Sequence, residues 1–209
     1  MKIFLCVLLL SSLSFYVQGN NFTDSFEGRS LKNEWKATDG HWRIGPRKTL
    51  QQIIGGPNRL GRIELNIPMV DSIDIQAKIS YFGGKKDKNY GAGFQFFVPE
   101  KNGTFYEIKF GTVGCNEVSI SRVTVEFEGN KRINRYKVLK KCVTPIFELN
   151  KIYSVRITCK NGNICISMDD EEIIDYSDSI KPFPIKGKTV LFTYGTAAEF
   201  DDVCIGNLK

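Results

Sequence analysis

Tyr153-Ser154-Val155-Arg156-Ile157-Thr158-Cys159-Lys160, then Asn161-Gly162, then Asn163-Ile164-Cys165-Ile166-Ser167-Met168: the reading of this stretch decides the fold. Tyr153, Val155, Ile157 and Cys159 alternate with polar residues, and Ile164, Ile166 and Met168 alternate with Cys165, Ser167 and Asp169. A two-residue apolar period marks a strand with one face in a core and one in water. Asn-Gly suits the two positive-φ positions of a tight hairpin turn. The stretch therefore reads as a hairpin in which Cys159 faces Ile164 on the core side and Cys165 points to the other face.

The same period extends outward. Ile73, Ile75, Ala77 and Ile79 alternate with Asp74, Gln76, Lys78 and Ser80. Further β-rich runs occupy 41–45, 48–54, 60–66, 92–98, 104–110, 117–127, 131–139, 189–194 and 198–205. Turn signals separate them, including Gly55-Gly56-Pro57-Asn58, Gly83-Gly84, Lys101-Asn102-Gly103 and Glu128-Gly129-Asn130. Only residues 30–36 offer a helical turn. About twelve short strands at this spacing predict an all-β, two-sheet sandwich or a barrel. No repeat or composition shift divides the chain.

Met1-Lys2, the apolar run 3–10 and Val17-Gln18-Gly19 read as a secretory signal peptide over residues 1–19, with one domain over 20–209. The expectation is a secreted, extracellular protein. No later run approaches the roughly 18 apolar residues of a membrane span. A hydrophobic content of 42% with 15 Phe and 8 Tyr excludes a disordered chain. The net charge of +6 admits acidic partners without requiring them. His41 is the single histidine, which excludes any site that needs two. Asn21-Phe22-Thr23 and Asn102-Gly103-Thr104 are glycosylation sequons. Cys6 lies in the leader, leaving Cys115, Cys142, Cys159, Cys165 and Cys204. A hairpin centred on Glu128-Gly129 sets Cys115 across from Cys142, the expected disulfide; Cys204 can pair with Cys159 or Cys165, and the sequence does not decide between them.

The order of several motifs adds to this. Phe22-Thr23-Asp24-Ser25-Phe26-Glu27 leads to Trp35 and then Gly40-His41-Trp42-Arg43-Ile44. Gly91-Ala92-Gly93-Phe94-Gln95-Phe96 precedes Tyr106-Glu107-Ile108, and the chain ends with Glu199-Phe200-Asp201-Asp202-Val203-Cys204-Ile205. The chain resembles the concanavalin A-like lectin/glucanase superfamily, particularly its laminin-G-like and 3-keto-disaccharide-hydrolase-like branches. The resemblance implies an antiparallel jelly-roll sandwich with one concave sheet. Its members include lectins, adhesion modules and glycoside hydrolases, so it leaves function to be argued from the site.

Laminarinase-type hydrolases of the superfamily carry Glu-x-Asp-x-x-Glu on one strand. Here Glu199-Phe200-Asp201-Asp202-Val203-Cys204 has a cysteine in the last place and lies on the terminal strand, which argues against that enzyme. Phe200 and Val203 are three apart, so a bulge is expected near Asp201-Asp202. Tyr106, Ile108 and Phe110 read as core-facing, which puts Phe105, Glu107 and Lys109 on the opposite face, with Gln95 beside them. Gln95, Glu107, Lys109 and Arg156 are therefore the candidate ligand-binding residues; the plain alternative is a solvated sheet face. Asp169-Asp170-Glu171-Glu172 is an acidic tip. Laminin-G-like modules bind calcium with loop carboxylates, so the resemblance admits Ca2+ there, although the run lacks EF-hand spacing. No other cofactor or metal is called for.

Lys131, Arg132, Arg135, Lys137, Lys140 and Lys141 crowd one strand. Regular alternation sends Arg135, Lys137 and Lys141 to one face and Arg132 and Lys140 to the other. Such a strand either protects a sheet edge from aggregation or binds an anionic ligand. Lys85, Lys86 and Lys88 form a second basic cluster. No nucleic-acid recognition motif is present. The sequence reading is a lectin-like module whose partner is an extracellular glycan or glycoprotein, with acidic glycans favoured. The alternatives are a glycoside hydrolase with a different carboxylate pair and an adhesion module that binds protein. Oligomeric state stays open.

Overall fold

A computed structural model describes residues 21–53, 59–84, 87, 89–129 and 131–208. The expected leader and the Lys85, Lys86 and Lys88 cluster lie outside the described residues. The strands, in chain order, are β1 (Phe22–Asp24), β2 (Trp35–Asp39), β3 (Trp42–Ile44), β4 (Leu50–Gln52), β5 (Leu60–Val70), β6 (Ser72–Gly84), β7 (Gly91–Val98), β8 (Gly103–Gly111), β9 (Glu117–Glu128), β10 (Lys131–Val143), β11 (Ile152–Lys160), β12 (Asn163–Met168), β13 (Glu171–Ser177), β14 (Lys186–Tyr194) and β15 (Thr196–Gly206). No helix occurs among the described residues; Glu34 closes a turn where residues 30–36 were expected to coil, and Trp35 opens β2.

Two antiparallel sheets face each other. The first has the order β13-β12-β11-β6-β15-β4-β3, with β1 on β15, and the second has the order β10-β9-β8-β7-β14-β5-β2. The core between them is built from the predicted alternations: Ile73, Ile75 and Ile79 of β6, Tyr153, Val155 and Ile157 of β11, and Phe94, Phe96, Tyr106, Ile108 and Phe110 of the second sheet are all buried. The opening hairpin stands as read, with Lys160 opposite Asn163 and Cys159 opposite Ile164. Phe200 and Val203 are both fully buried, and the register shifts between Asp201 and Cys204, where the bulge was expected. One network pins the underside of the second sheet. Buried Arg122 donates to Asp178 at 2.9 Å and to the carbonyls of Ile180 and Pro182, and Tyr106 donates to the same Asp178 oxygen at 2.8 Å.

The β9–β10 hairpin corrects two expectations. Glu128 pairs directly with Lys131, so the turn is centred later than Glu128-Gly129, and Leu139 is an extra residue between the pairs Val138–Ser121 and Lys140–Ile120. Cys142 therefore stands opposite Val118 rather than Cys115, and no Cys115–Cys142 bridge forms. All five described cysteines are free thiols. The bulge also reverses alternation: Lys140 shares the face of Arg135 and Lys137, and Lys141 shares the face of Arg132, Asn134, Tyr136 and Val138.

Candidate functional site

The second sheet turns its outer face into a cleft. Along β7 and β8 the residues that alternate with the core set are Gly91, Gly93 and Gln95, and Phe105, Glu107 and Lys109. Register lines them up in rows. One row crosses six strands as Glu64, Val190, Gln95, Glu107, Ser121 and Val138. The next runs Arg62, Phe192, Gly93, Lys109, Ser119 and Lys141. Gly93 sits so close to the neighbouring strand that a Cβ there would collide with the Ile108 carbonyl oxygen.

The sheet curls about these rows. Val98, Phe105, Val123, Val125 and Val190 close one end of the face as a small apolar cluster of their own. The other end stays open as a cleft of about 740 Å³, lined at one side by Leu60 and Arg62 of β5 and at the other by Asn134, Tyr136 and Val138 of β10. Four strands separate β5 from β10 in the sheet, so only strong curvature brings both to one cavity.

On the floor Gln95 donates from Nε2 to Glu107 Oε2 at 2.7 Å. Gln95 is 2% exposed and its Oε1 has no partner. Burial raises the pKa of Glu107 above the usual carboxylate value, against the lowering effects of Gln95, Lys109 and Arg62. Burial lowers the pKa of Lys109, opposed by Glu107 and Glu117. The Tyr136 hydroxyl is raised, chiefly by burial and then by Glu107. Glu117, the other carboxylate lining the cleft, is held by Lys141 at 2.9 Å. Phe192 and Tyr194 add rings. The arrangement offers hydrogen-bond donors and acceptors beside aromatic faces, which suits hydroxyl-rich rings.

Of the four predicted ligand residues, Gln95, Glu107 and Lys109 meet in the cleft. Arg156 does not. It lies on β11 of the first sheet, where Nε and Nη2 bind Asp74 at 3.1 and 2.8 Å. Alternation assigns a face within a strand and says nothing of which sheet the strand joins. The basic strand is also divided rather than forming one patch. Arg132 and Lys141 lie on the cleft side, while Arg135 pairs with Glu126 at 2.7 Å on the other face, which Lys137 and Lys140 share. Lys131 is exposed beside the hairpin turn. Arg62, Asn134, Tyr136 and Tyr194 were missed; the alternation of Arg62 and Glu64 with Ile63 and Leu65 was the available signal for β5. At the acidic tip Asp169 accepts the Ser154 N–H at 2.9 Å, and Glu171 already begins β13. Among the described residues no group of three or more His, Cys, Asp and Glu side chains is placed to hold a metal ion.

No family model matches the sequence, and no curated protein matches it. Solved structures do. Carbohydrate binding module CBM66 from Bacillus subtilis is similar at a TM-score of 0.60 with 20% identity, covering 83% of this chain and 97% of its own. The endo-β-1,3-glucanase from Pyrococcus furiosus is similar at 0.61 with 15% identity, covering 89% and 93%. The carbohydrate recognition domain of Emp47p is similar at 0.56 with 11% identity, covering 90% and 94%. With two antiparallel sheets in the order given above, the chain has the concanavalin A-like jelly-roll fold.

Proposed function

We propose that the chain is a secreted carbohydrate-binding protein that seats a glycan in the cleft of the second sheet. The observation that carries the reading is the Gln95–Glu107 pair: a bonded, buried amide and carboxylate on the cleft floor, with Gln95 Oε1 unpartnered and aromatic rings beside it. Sugar hydroxyls both donate and accept, and so match this mixture. Similar folds include a carbohydrate binding module and a carbohydrate recognition domain, which supports the same reading. Arg62, Lys109 and Lys141 outnumber Glu107 and Glu117 in the cleft lining, which favours acidic glycans. Asn21 and Asn102 are both exposed, in keeping with glycosylation on a secretory route.

A glycan array on the mature protein, with calcium and then with a chelator, tests the reading. Selective binding that falls by about tenfold in Gln95→Ala is the expected result, as befits loss of a buried hydrogen-bonding group. Binding lost in chelator would make calcium part of the site. A blank array in both conditions would overturn the proposal. Release of reducing sugar from bound glycan would instead favour hydrolysis, with Glu107, whose pKa is raised, as the acid.

A further inference from the structure

Three buried polar atoms without partners lie in the cleft or at its wall: Gln95 Oε1, Arg62 Nη2 and Arg132 Nη2. Gln95 and Arg62 line the cavity. Arg132 stands on β10 on the same side as Asn134, which lines the cavity and accepts Arg132 Nε at 3.2 Å. The curl of the sheet thus brings a guanidinium from β5 toward one from β10. Their charges are felt: burial first and Arg62 second lower the pKa of Arg132, with Glu64 opposing.

Two guanidinium groups within each other's electrostatic reach, each with a buried N–H that no acceptor meets, are costly twice over. The charges repel, and each unmade hydrogen bond forfeits the water it lost. The carboxylates nearby are engaged elsewhere, Glu64 with Lys188 at 3.5 Å and Glu107 with Gln95. An oxyanion placed between the arginines would remove both costs. Guanidinium forks match the two oxygens of a carboxylate or sulfate in the plane of the group. The remaining orphan, Gln95 Oε1, is an acceptor and calls for a hydroxyl. The ligand therefore needs both an acidic group and hydroxyls.

We propose that Arg62 and Arg132 clamp the acidic group of a sugar-acid residue while its hydroxyls bond Gln95 and Glu107. The proposal rests on the cleft being a glycan site and names the class of glycan. It assigns the acidic preference chiefly to Arg62 in the cleft and Arg132 on its wall rather than to the charges on the far face of the hairpin, Lys131, Arg135, Lys137 and Lys140.

The test is calorimetric titration of the full mature protein with an oligogalacturonate hexamer, its carboxyl-reduced counterpart and a sulfated hexamer. The wild type should bind an acidic hexamer at least about tenfold more tightly than the reduced one, the scale of one charge-assisted hydrogen-bonded pair. Arg62→Gln and Arg132→Gln should each abolish that preference, bringing the acidic and reduced hexamers to within about twofold of each other. Arg135→Gln, the same charge change on the other face, should shift acidic binding by less than about twofold. Arg62→Lys and Arg132→Lys keep the charge and lose the fork, so partial loss in proteins with unchanged melting curves guards against a folding artefact. Preference for the galacturonate identifies a uronate, and preference for the sulfated hexamer a sulfate ester. Equal loss in Arg135→Gln, or equal affinity for acidic and reduced hexamers, overturns the inference while the cleft reading stands. No binding of any hexamer by a protein that is also blank on the array overturns both.

Discussion

Gln95 and Glu107 face each other across β7 and β8 at 2.7 Å, and the amide gives its N–H to the carboxylate while its own oxygen stays buried without a partner. The pair is half of a hydrogen-bonding surface. It holds Glu107 in one orientation and leaves acceptors for something that donates.

Glu107 is a liability for folding. Its pKa in the folded protein is raised above the ordinary 4.5, so within that window the folded state keeps a proton the unfolded chain has released. Stability therefore falls as pH rises through the window and is level above it. Glu107→Gln keeps an acceptor for Gln95 and removes the charge. Scanning calorimetry from pH 4 to 8 should show the variant melting at or above the wild type at pH 7, with the gap closing at acid pH. A wild type that melts higher at pH 7 would mean the carboxylate is net stabilising.

Arg122, Asp178 and Tyr106 form a buried unit beneath β8 and β9. Removing one member of a buried ion pair strands the other. Arg122→Ala and Asp178→Ala should each cost about 3–5 kcal/mol in urea unfolding. Tyr106→Phe removes one hydrogen bond and should cost about 1 kcal/mol. A cost below that of Tyr106→Phe for either charged residue would contradict the buried pair.

The thiols should label in a fixed order. Cys142, Cys165 and Cys204 are partly exposed, while Cys115 and Cys159 are buried. Burial pushes the Cys159 thiol up to about 12, and burial together with Glu172 raises Cys165 to about 11. Iodoacetamide at pH 8 should reach Cys142 and Cys204 first, Cys165 slowly, and Cys115 and Cys159 only after unfolding. Peptide mass spectrometry reads the order; a Cys115–Cys142 cross-linked peptide would contradict the register of β9 and β10.

Gly93 gives the cleft floor its bare centre. Gly93→Ala must push β7 from β8, at a cost of about 1–3 kcal/mol, because the atom it meets is backbone and cannot swing away. Glycan affinity should fall in the same variant, since the Gln95–Glu107 pair spans those two strands. Unchanged melting and binding would show that the strands yield freely.

Much of this was legible before folding. Phe105, Glu107 and Lys109 share a face because a strand's period is two, and that needs no partner strand to be known. Phe200 and Val203, three apart and both apolar, announced their bulge. The bulge at Leu139 was silent, because Val138 and Leu139 are both apolar and either could have faced inward. The assignment of Arg156 failed for a different reason: its strand pairs with β6 and β12, a matter of chain crossover that local pattern does not encode. β1 and β2 were outside the runs for a third. β2 buries only Trp35, and besides its pairing with β5 it is held by the bond from Trp35 Nε1 to buried Asp24 of β1 at 2.9 Å.

Leu139 carries one more consequence. As an extra residue taken up by a bulge in an edge strand, it decides which of two adjacent lysines faces the cleft: Lys141 with the bulge, Lys140 if Leu139 took a regular place opposite Ile120 and the hairpin kept its turn. Related chains can therefore exchange wall chemistry through gain or loss of the bulge alone, with no substitution at any ligand-facing position. An alignment does not register such a slip, because no residue is gained or lost, and library designs for new ligands gain a variable that substitution at ligand-facing positions does not sample.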